Sequence, residues 1–174
     1  MWKDSLLELR KTKSIVTAGL LSALNVVLGM FQIIVIPQVL IFSFNFLSVS
    51  ALGFLCGPFV CGIAGAICDI LKFLFNPTGE FFLGFTLNEF LGGFIYGLVL
   101  YKKKVSLTRC FFAKAIVNIV INILLTPLWL NILYGKAWIA YASTRLIKNI
   151  VGLPIESFVM YYILKLVSRI RLKN

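Results

Sequence analysis

Histidine is absent from all 174 residues, and Asp and Glu together number only six against 17 Lys and Arg. Without histidine, the commonest acid-base group and a leading zinc ligand are both missing. The four cysteines (Cys56, Cys61, Cys68, Cys110) include no CxxC pair and read as buried small hydrophobes. No GxxxxGK[ST] run is present to cradle nucleotide phosphates, and there is no nucleophile elbow. Nothing in this inventory supports an enzyme, and nothing calls for a cofactor or a metal. The longest gap is in charge itself: from Ser14 to Cys68 no residue carries one.

What fills that gap is apolar. The chain is 60% hydrophobic with a mean hydropathy of +0.99, whereas a soluble domain is about 45–50% apolar. The uncharged stretch far exceeds the roughly 20 residues that one membrane helix needs. The expectation is an all-α integral membrane protein, one transmembrane domain over residues 1–174, with no separate soluble domain. The basic start (Lys3, Arg10, Lys11, Lys13) leads into a segment too long for a signal-peptide core and lacks a small-residue cleavage site. Residues 1–13 therefore read as a cytoplasmic basic arm, and the first span as retained.

A net charge of +11 would suit nucleic acid, but its distribution argues otherwise. Twelve of the cations fall in three clusters: the N-terminal four, Lys102–Lys104 with Arg109, and Lys165, Arg169, Arg171 and Lys173. Each flanks apolar sequence, as the positive-inside rule describes. All three share one side if four spans precede the middle cluster and two follow it. That gives six transmembrane helices with N- and C-termini cytoplasmic.

The spans read as Ser14–Ile36, Phe46–Cys56, Phe59–Phe75, Phe82–Tyr101, Cys110–Leu133 and Thr144–Val167. The second is short enough to be re-entrant instead. Residues 37–46 follow Pro37 and read as an extended loop, Gly57-Pro58 as a tight cytoplasmic turn, and Tyr134–Ser143 as an external loop. Pro127 is expected to kink span five. Small residues at four-residue spacing (Ala18 with Ser22, Gly19 with Ala23) let another helix approach span one closely, from inside the chain or from a partner. Gly93 and Gly97 form a GxxxG pair on span four.

The stretch from Asp69 to Tyr96 holds three of the six carboxylates: Asp69, Glu80 and Glu89. Asn76-Pro77-Thr78-Gly79 within it is a turn, because Pro fixes φ and Gly permits φ > 0. Charge at membrane depth is costly, so these residues are functional candidates by default. Asp69 and Lys72, three apart, read as a structural pair. Glu89, beside Asn88, either pairs with a cation or accepts hydrogen bonds from a ligand.

Arg145 and Lys148 share a helix face near the outer end of span six, where they can grip a carboxylate or snorkel to headgroups. Trp129, Asn131, Tyr134 and Trp138 gather rings and an amide at the same end, as an aromatic belt or as a pocket for a flat heterocycle. Lys114 reads as snorkelling, Asn118 and Asn122 as hydrogen-bonding between helices, and Glu156 as serving helix packing.

Two runs carry a family resemblance: G-P-F-V-C-G-I-A-G-A-I-C-D (Gly57 to Asp69) and N-P-T-G-E-F-F-L-G-F-T-L-N-E-F-L-G-G-F-I-Y-G (Asn76 to Gly97). They resemble the substrate-binding S components of energy-coupling factor (ECF) vitamin transporters. The P-T-G-x-F-F-x-G-F-T core, with W-L-N-I-L-Y-G from Trp129 to Gly135, is most similar to the folate-specific members.

The resemblance implies a non-enzymatic subunit that captures a vitamin from outside and joins a membrane T component and two ATPases. It also implies docking on the T component through small residues of the first helix, here Ala18, Gly19, Ser22 and Ala23. For folate, Arg145 and Lys148 would neutralise the glutamate carboxylates. Trp129, Trp138, Phe81 or Phe82 would stack on the pterin, with Asn88, Glu89, Asn131 or Tyr134 beside it. The alternatives are an S component for another flat vitamin or precursor (thiamin, a queuosine precursor) and a stand-alone secondary transporter.

Overall fold

The computed structural model describes Ser5 and residues 7–30, 32–36, 40–75, 81–135 and 138–173. The side chains of 32–36, 40–43, 134, 138–145, 147, 148 and 170–173 lie outside the description, as do the expected Asn76–Gly79 turn and Glu80. In chain order the elements are α1 (Thr12–Met30), β1 (Gln32–Ile36), β2 (Leu40–Ser43), α2 (Asn45–Cys56), α3 (Pro58–Phe75) and α4 (Leu83–Leu100). There follow α5 (Leu107–Val117), a π-helical segment (Asn118–Leu125), α6 (Thr126–Tyr134) and α7 (Trp138–Lys173). Among the described residues, five helical segments are long and apolar enough to cross a bilayer: α1, α3, α4, Leu107–Leu133, and Asn149–Arg169 within α7. The shorter apolar α2 makes a sixth helix.

Two boundaries differ from the sequence reading. Span one stops at Met30 rather than Ile36, and the β-branched run after it pairs antiparallel with Leu40–Ser43 in a short hairpin. Branched side chains favour a pleated strand, so the extended conformation expected after Pro37 begins before it. The membrane-crossing part is all-helical, and the hairpin is the departure from a purely α chain. The external loop expected over Tyr134–Ser143 is largely helix, because α7 already begins at Trp138. Gly135 closes α6 at φ 64°, its N–H bonding to the Asn131 carbonyl at 2.9 Å.

At about 1.5 Å per residue, the regular turns of α2 alone cover less than a bilayer core of about 30 Å. The helix runs through the middle of the bundle, with Phe46, Val49, Ala51, Leu52 and Phe54 all buried. Gly57 turns the chain out of α2 at φ 87°, as the Gly-Pro signal predicts. Ser5 is buried against this turn, its hydroxyl accepting the Phe59 N–H at 3.2 Å, one of the orphan donors of α3.

The closest helix contact is between α3 and α4. A Cβ at Gly93 would lie 2.5 Å from the Cys61 carbonyl oxygen, and one at Gly97 only 2.3 Å from Pro58 Cα. The GxxxG pair therefore brings backbone against backbone. The four cysteines are free and buried, and Cys61 and Cys68 donate to the carbonyls of Val49 and Ser22.

Pro127 is fully buried, and the turn before it widens into the π segment. Proline lacks an N–H and its ring crowds the carbonyl four residues back. A π turn relieves both, so the expected kink takes the form of a wide turn.

Candidate ligand cavity

A cavity of about 200 Å³ opens where α2, α4, α5, the π segment and α7 meet. Helix α4 supplies Asn88, Glu89 and Tyr96, spaced so that they share one side. Phe46 faces them from α2, Lys114 from α5, Asn122 from the π segment, and Asn149 and Glu156 from α7. For a bundle this apolar, the concentration of polar atoms is unusual and costs free energy unless partners or a ligand satisfy it.

At one end, Lys114 Nζ lies 2.8 Å from Glu156 Oε2 and 4.3 Å from the Phe46 ring centroid. Both charged side chains are largely withdrawn from solvent, at 8% and 17% exposure. The sequence reading had Lys114 reaching back to the interface. Instead, a counter-ion at its own depth and an aromatic face hold it inside. In the middle, Asn122 Nδ2 donates to Asn118 Oδ1 at 3.0 Å and across to Asn149 Oδ1 at 3.4 Å. The interhelical use expected of this asparagine stripe is thus present at Asn122. The Asn118 and Asn149 amide nitrogens are buried without a hydrogen-bond partner among the described residues.

At the other end, Asn88 Nδ2 donates to Thr126 Oγ1 at 3.1 Å, and Trp129 Nε1 donates to Asn88 Oδ1 at 3.1 Å. The buried amide thereby fixes the indole. Trp129 packs against Phe82 with ring centroids 5.6 Å apart, and Phe82 against Phe85 at 6.0 Å. The cavity therefore runs from an aromatic corner with a bound amide, past Glu89, to a buried ion pair.

Of the residues singled out in the sequence, Asn88 and Glu89 line this cavity, and Trp129 and Phe82 adjoin it through Asn88. Phe81 turns elsewhere, half-exposed and packed on Phe73 at 5.1 Å. Asn131 is half-buried on α6 and does not line it. Tyr134 ends α6 and Trp138 begins α7; Arg145 and Lys148 lie on α7 just before Asn149. The side chains of these four are outside the described residues. Asp69 accepts a hydrogen bond from Thr86 Oγ1 at 2.7 Å, while the Lys72 stem runs beside Gly29 of α1, so the expected Asp69–Lys72 pair is not formed.

Lys114, Glu156, Tyr96 and Asn149 were missed as site residues. A signal existed: Lys114 lies ten positions from Lys104 and Glu156 nine from Lys165, so opposite charges sit at matched depth on antiparallel spans.

Residues 13–164 match the family described as ECF transporter, substrate-specific component. The chain belongs to that family. Three curated relatives are each named folate transporter FolT. That of Clostridium novyi (strain NT) is 36% identical over 95% of this chain and 96% of its own length. That of Streptococcus mutans is 34% identical over 90% and 87%, and that of Leuconostoc mesenteroides 31% over 88% and 85%. A crystal structure described as FolT bound with folic acid superposes with a TM-score of 0.79 at 41% identity, covering 87% of this chain and 92% of that one. This S component is thus a multi-pass transport subunit, and its family is one of substrate-specific transporter components rather than enzymes.

The four small residues of α1 divide between two faces. Ala18 packs on the core and the Ser22 carbonyl accepts from Cys68, whereas Gly19 and Ala23 are exposed, with nothing within 4 Å of a Cβ built at Gly19.

Proposed function

We propose that this S component captures folate from outside the cell for uptake driven by a T component and two ATPases. The observation that carries the proposal is the likeness, over nearly the whole chain, to a FolT whose structure holds folic acid. The cavity supports it: a flat pterin suits the Phe82–Trp129 corner, and Glu89 and the buried amides supply acceptors and donors for its edge. In this reading Arg145 and Lys148 receive the glutamate carboxylates, with Tyr134 and Trp138 beside them.

The topology that goes with this function has six spans, both termini cytoplasmic, in the cell membrane. The three basic clusters on one side support it. The outward pair Gly19 and Ala23 is the surface offered to the T component.

The test is a tryptophan-fluorescence titration of the purified chain in detergent with folate, then with thiamin. Saturable quenching by folate alone, after correction for folate's own absorbance, is the expected result. Quenching by thiamin with silence from folate overturns the substrate and leaves the family standing.

A further inference from the structure

A second concavity, about 580 Å³, lies at the opposite end of the bundle from the aromatic corner, where α2 and α4 finish and α5 starts. Two of its walls are cationic: Lys102, Lys103 and Lys104 from the α4–α5 connection, and Lys165 from α7. Among the described residues, no carboxylate lines it. Its floor is apolar, with Phe54 buried on α2 and Tyr161 on α7. Ser168 adds a hydroxyl at the rim.

The lysines are presented by a built turn rather than a loose one. Lys102 adopts φ 54°, the one non-glycine positive φ among the described residues, a conformation that costs about 1 kcal/mol or more. Arg109 Nη1 holds the Lys104 carbonyl at 3.0 Å, and the Lys103 N–H bonds to the Leu100 carbonyl at 3.2 Å. Lys102 Nζ stands 5.4 Å from the Tyr101 ring and Lys165 Nζ 5.4 Å from the Tyr161 ring. Glu8, which meets the Tyr101 hydroxyl at 3.4 Å nearby, is engaged by Lys11 at 2.8 Å and by Ser14. Burial works to raise its pKa, but those hydrogen bonds outweigh it and hold Glu8 ionised and occupied below the ordinary carboxylate range.

We propose that this groove binds an anionic phospholipid, its phosphate among the four lysines and an acyl chain along α7. Charge complementarity selects an anion. The continuation of the floor selects a lipid: Tyr161 contacts Tyr162, and Tyr162 contacts Phe158 one turn deeper, at centroid distances of 5.7 and 4.8 Å. Phe158 and Tyr162 are both half-exposed on the bilayer-facing side of the helix. A phosphate that is not lipid-borne gains nothing from this aromatic track. The groove is separate from the candidate ligand cavity and shares no lining residue with it.

The experiment is native mass spectrometry of the full chain with phosphatidylglycerol or phosphatidylcholine added at equal concentration, with a thermal-shift assay alongside. The expected result is retention of phosphatidylglycerol over phosphatidylcholine. Lys103→Gln and Lys165→Gln should each weaken it roughly fivefold, and K103Q/K104Q/K165Q roughly a hundredfold. Lys13→Gln, in another basic cluster, should leave it unchanged. Equal retention of both lipids, an unaltered triple variant, or equal loss in Lys13→Gln overturns the proposal. So does inorganic phosphate displacing the lipid at millimolar concentration, which would mark a site for free phosphate. Should the triple variant fail to purify as a monodisperse protein, the two single variants decide by the same criterion.

Discussion

Lys114 on α5 and Glu156 on α7 face each other at 2.8 Å at one end of the candidate ligand cavity, both largely withdrawn from solvent. An ion pair at this depth costs desolvation on both sides, and that cost is offset only while both partners are present. Lys114→Met leaves Glu156 charged and alone, so stability should fall by about 3–5 kcal/mol, read as a lowered Tm in detergent. Lys114→Met with Glu156→Leu should recover most of it. Folate affinity separates structure from recognition. If the pair only holds helices together, the double variant binds like the parent; if Lys114 contacts the ligand, affinity stays low after stability returns. The second outcome is the one expected, because Lys114 lines the cavity and the nearby Asn118 and Asn149 amide nitrogens are buried without a hydrogen-bond partner among the described residues.

Asn88 offers a second measurement. Its amide joins Thr126 on one side and the Trp129 indole on the other, both at 3.1 Å. Asn88→Leu is close in volume but leaves a hydroxyl and an indole N–H without their partner, at about 1–3 kcal/mol for each orphaned group. The Trp129 emission should broaden and shift as the ring loses its fixed orientation. Quenching by folate should weaken by at least about tenfold, since a stacking surface held in two orientations binds less well than one held in one. Unchanged emission and unchanged quenching would mean that Asn88 does not position this ring.

How far the sequence revealed these features depended on the physics behind each. The apolar spans, the Gly57 turn and the close packing at Gly93 and Gly97 were legible, because each rests on local chemistry or helical spacing. The hairpin was half-legible: Ile33–Ile36 is as apolar as the helix before it, and hydropathy does not distinguish strand from helix in a short run. The start of α7 at Trp138 was hidden by Gly135, which ends one helix without saying how soon the next begins. In the site, Asn88 and Glu89 stood out as polar residues in an apolar span. Lys114 and Glu156 did not, since each had a commonplace explanation until the fold placed them together. Asp69 was misassigned for the converse reason: helical spacing offered Lys72, and tertiary packing supplied Thr86.

Gly97 tests the packing itself. Its missing Cβ would stand 2.3 Å from Pro58 Cα and 2.5 Å from Pro58 N, backbone atoms that cannot rotate aside. Gly97→Ala must therefore push α3 and α4 apart, and overpacking of this kind costs about 1–3 kcal/mol or more. The expected result is a markedly lower yield of monodisperse protein and a lower Tm. Because α2 also meets this point, with a Gly53 Cβ 2.8 Å from Gly97 N, the cavity wall formed by Phe46 and Val49 should move with it. Folate affinity should drop even though Gly97 is absent from the cavity lining. A stable Gly97→Ala protein with parental affinity would contradict the backbone contact.

Gly19 makes the opposite prediction from the same chemistry. Nothing lies within 4 Å of a Cβ built there, and Leu20 and Leu24 beside it are exposed at 69% and 46%, so this side of α1 faces away from the rest of the chain. A small residue has no packing role inside the chain here, yet glycine in a helix costs about 1 kcal/mol relative to alanine. Gly19→Ala should accordingly leave Tm and folate binding equal to or slightly above the parent. Gly19→Leu with Ala23→Leu fills the shallow face with bulk, and the isolated subunit should again fold and bind normally. Co-purification with the T component and ATPases is where the loss should appear, because close helix approach needs small residues on the shared face. Ala18→Leu, by contrast, points into the core and should destabilise the isolated subunit itself. Should the double variant assemble as well as the parent, the outward small-residue face of α1 is not the docking surface.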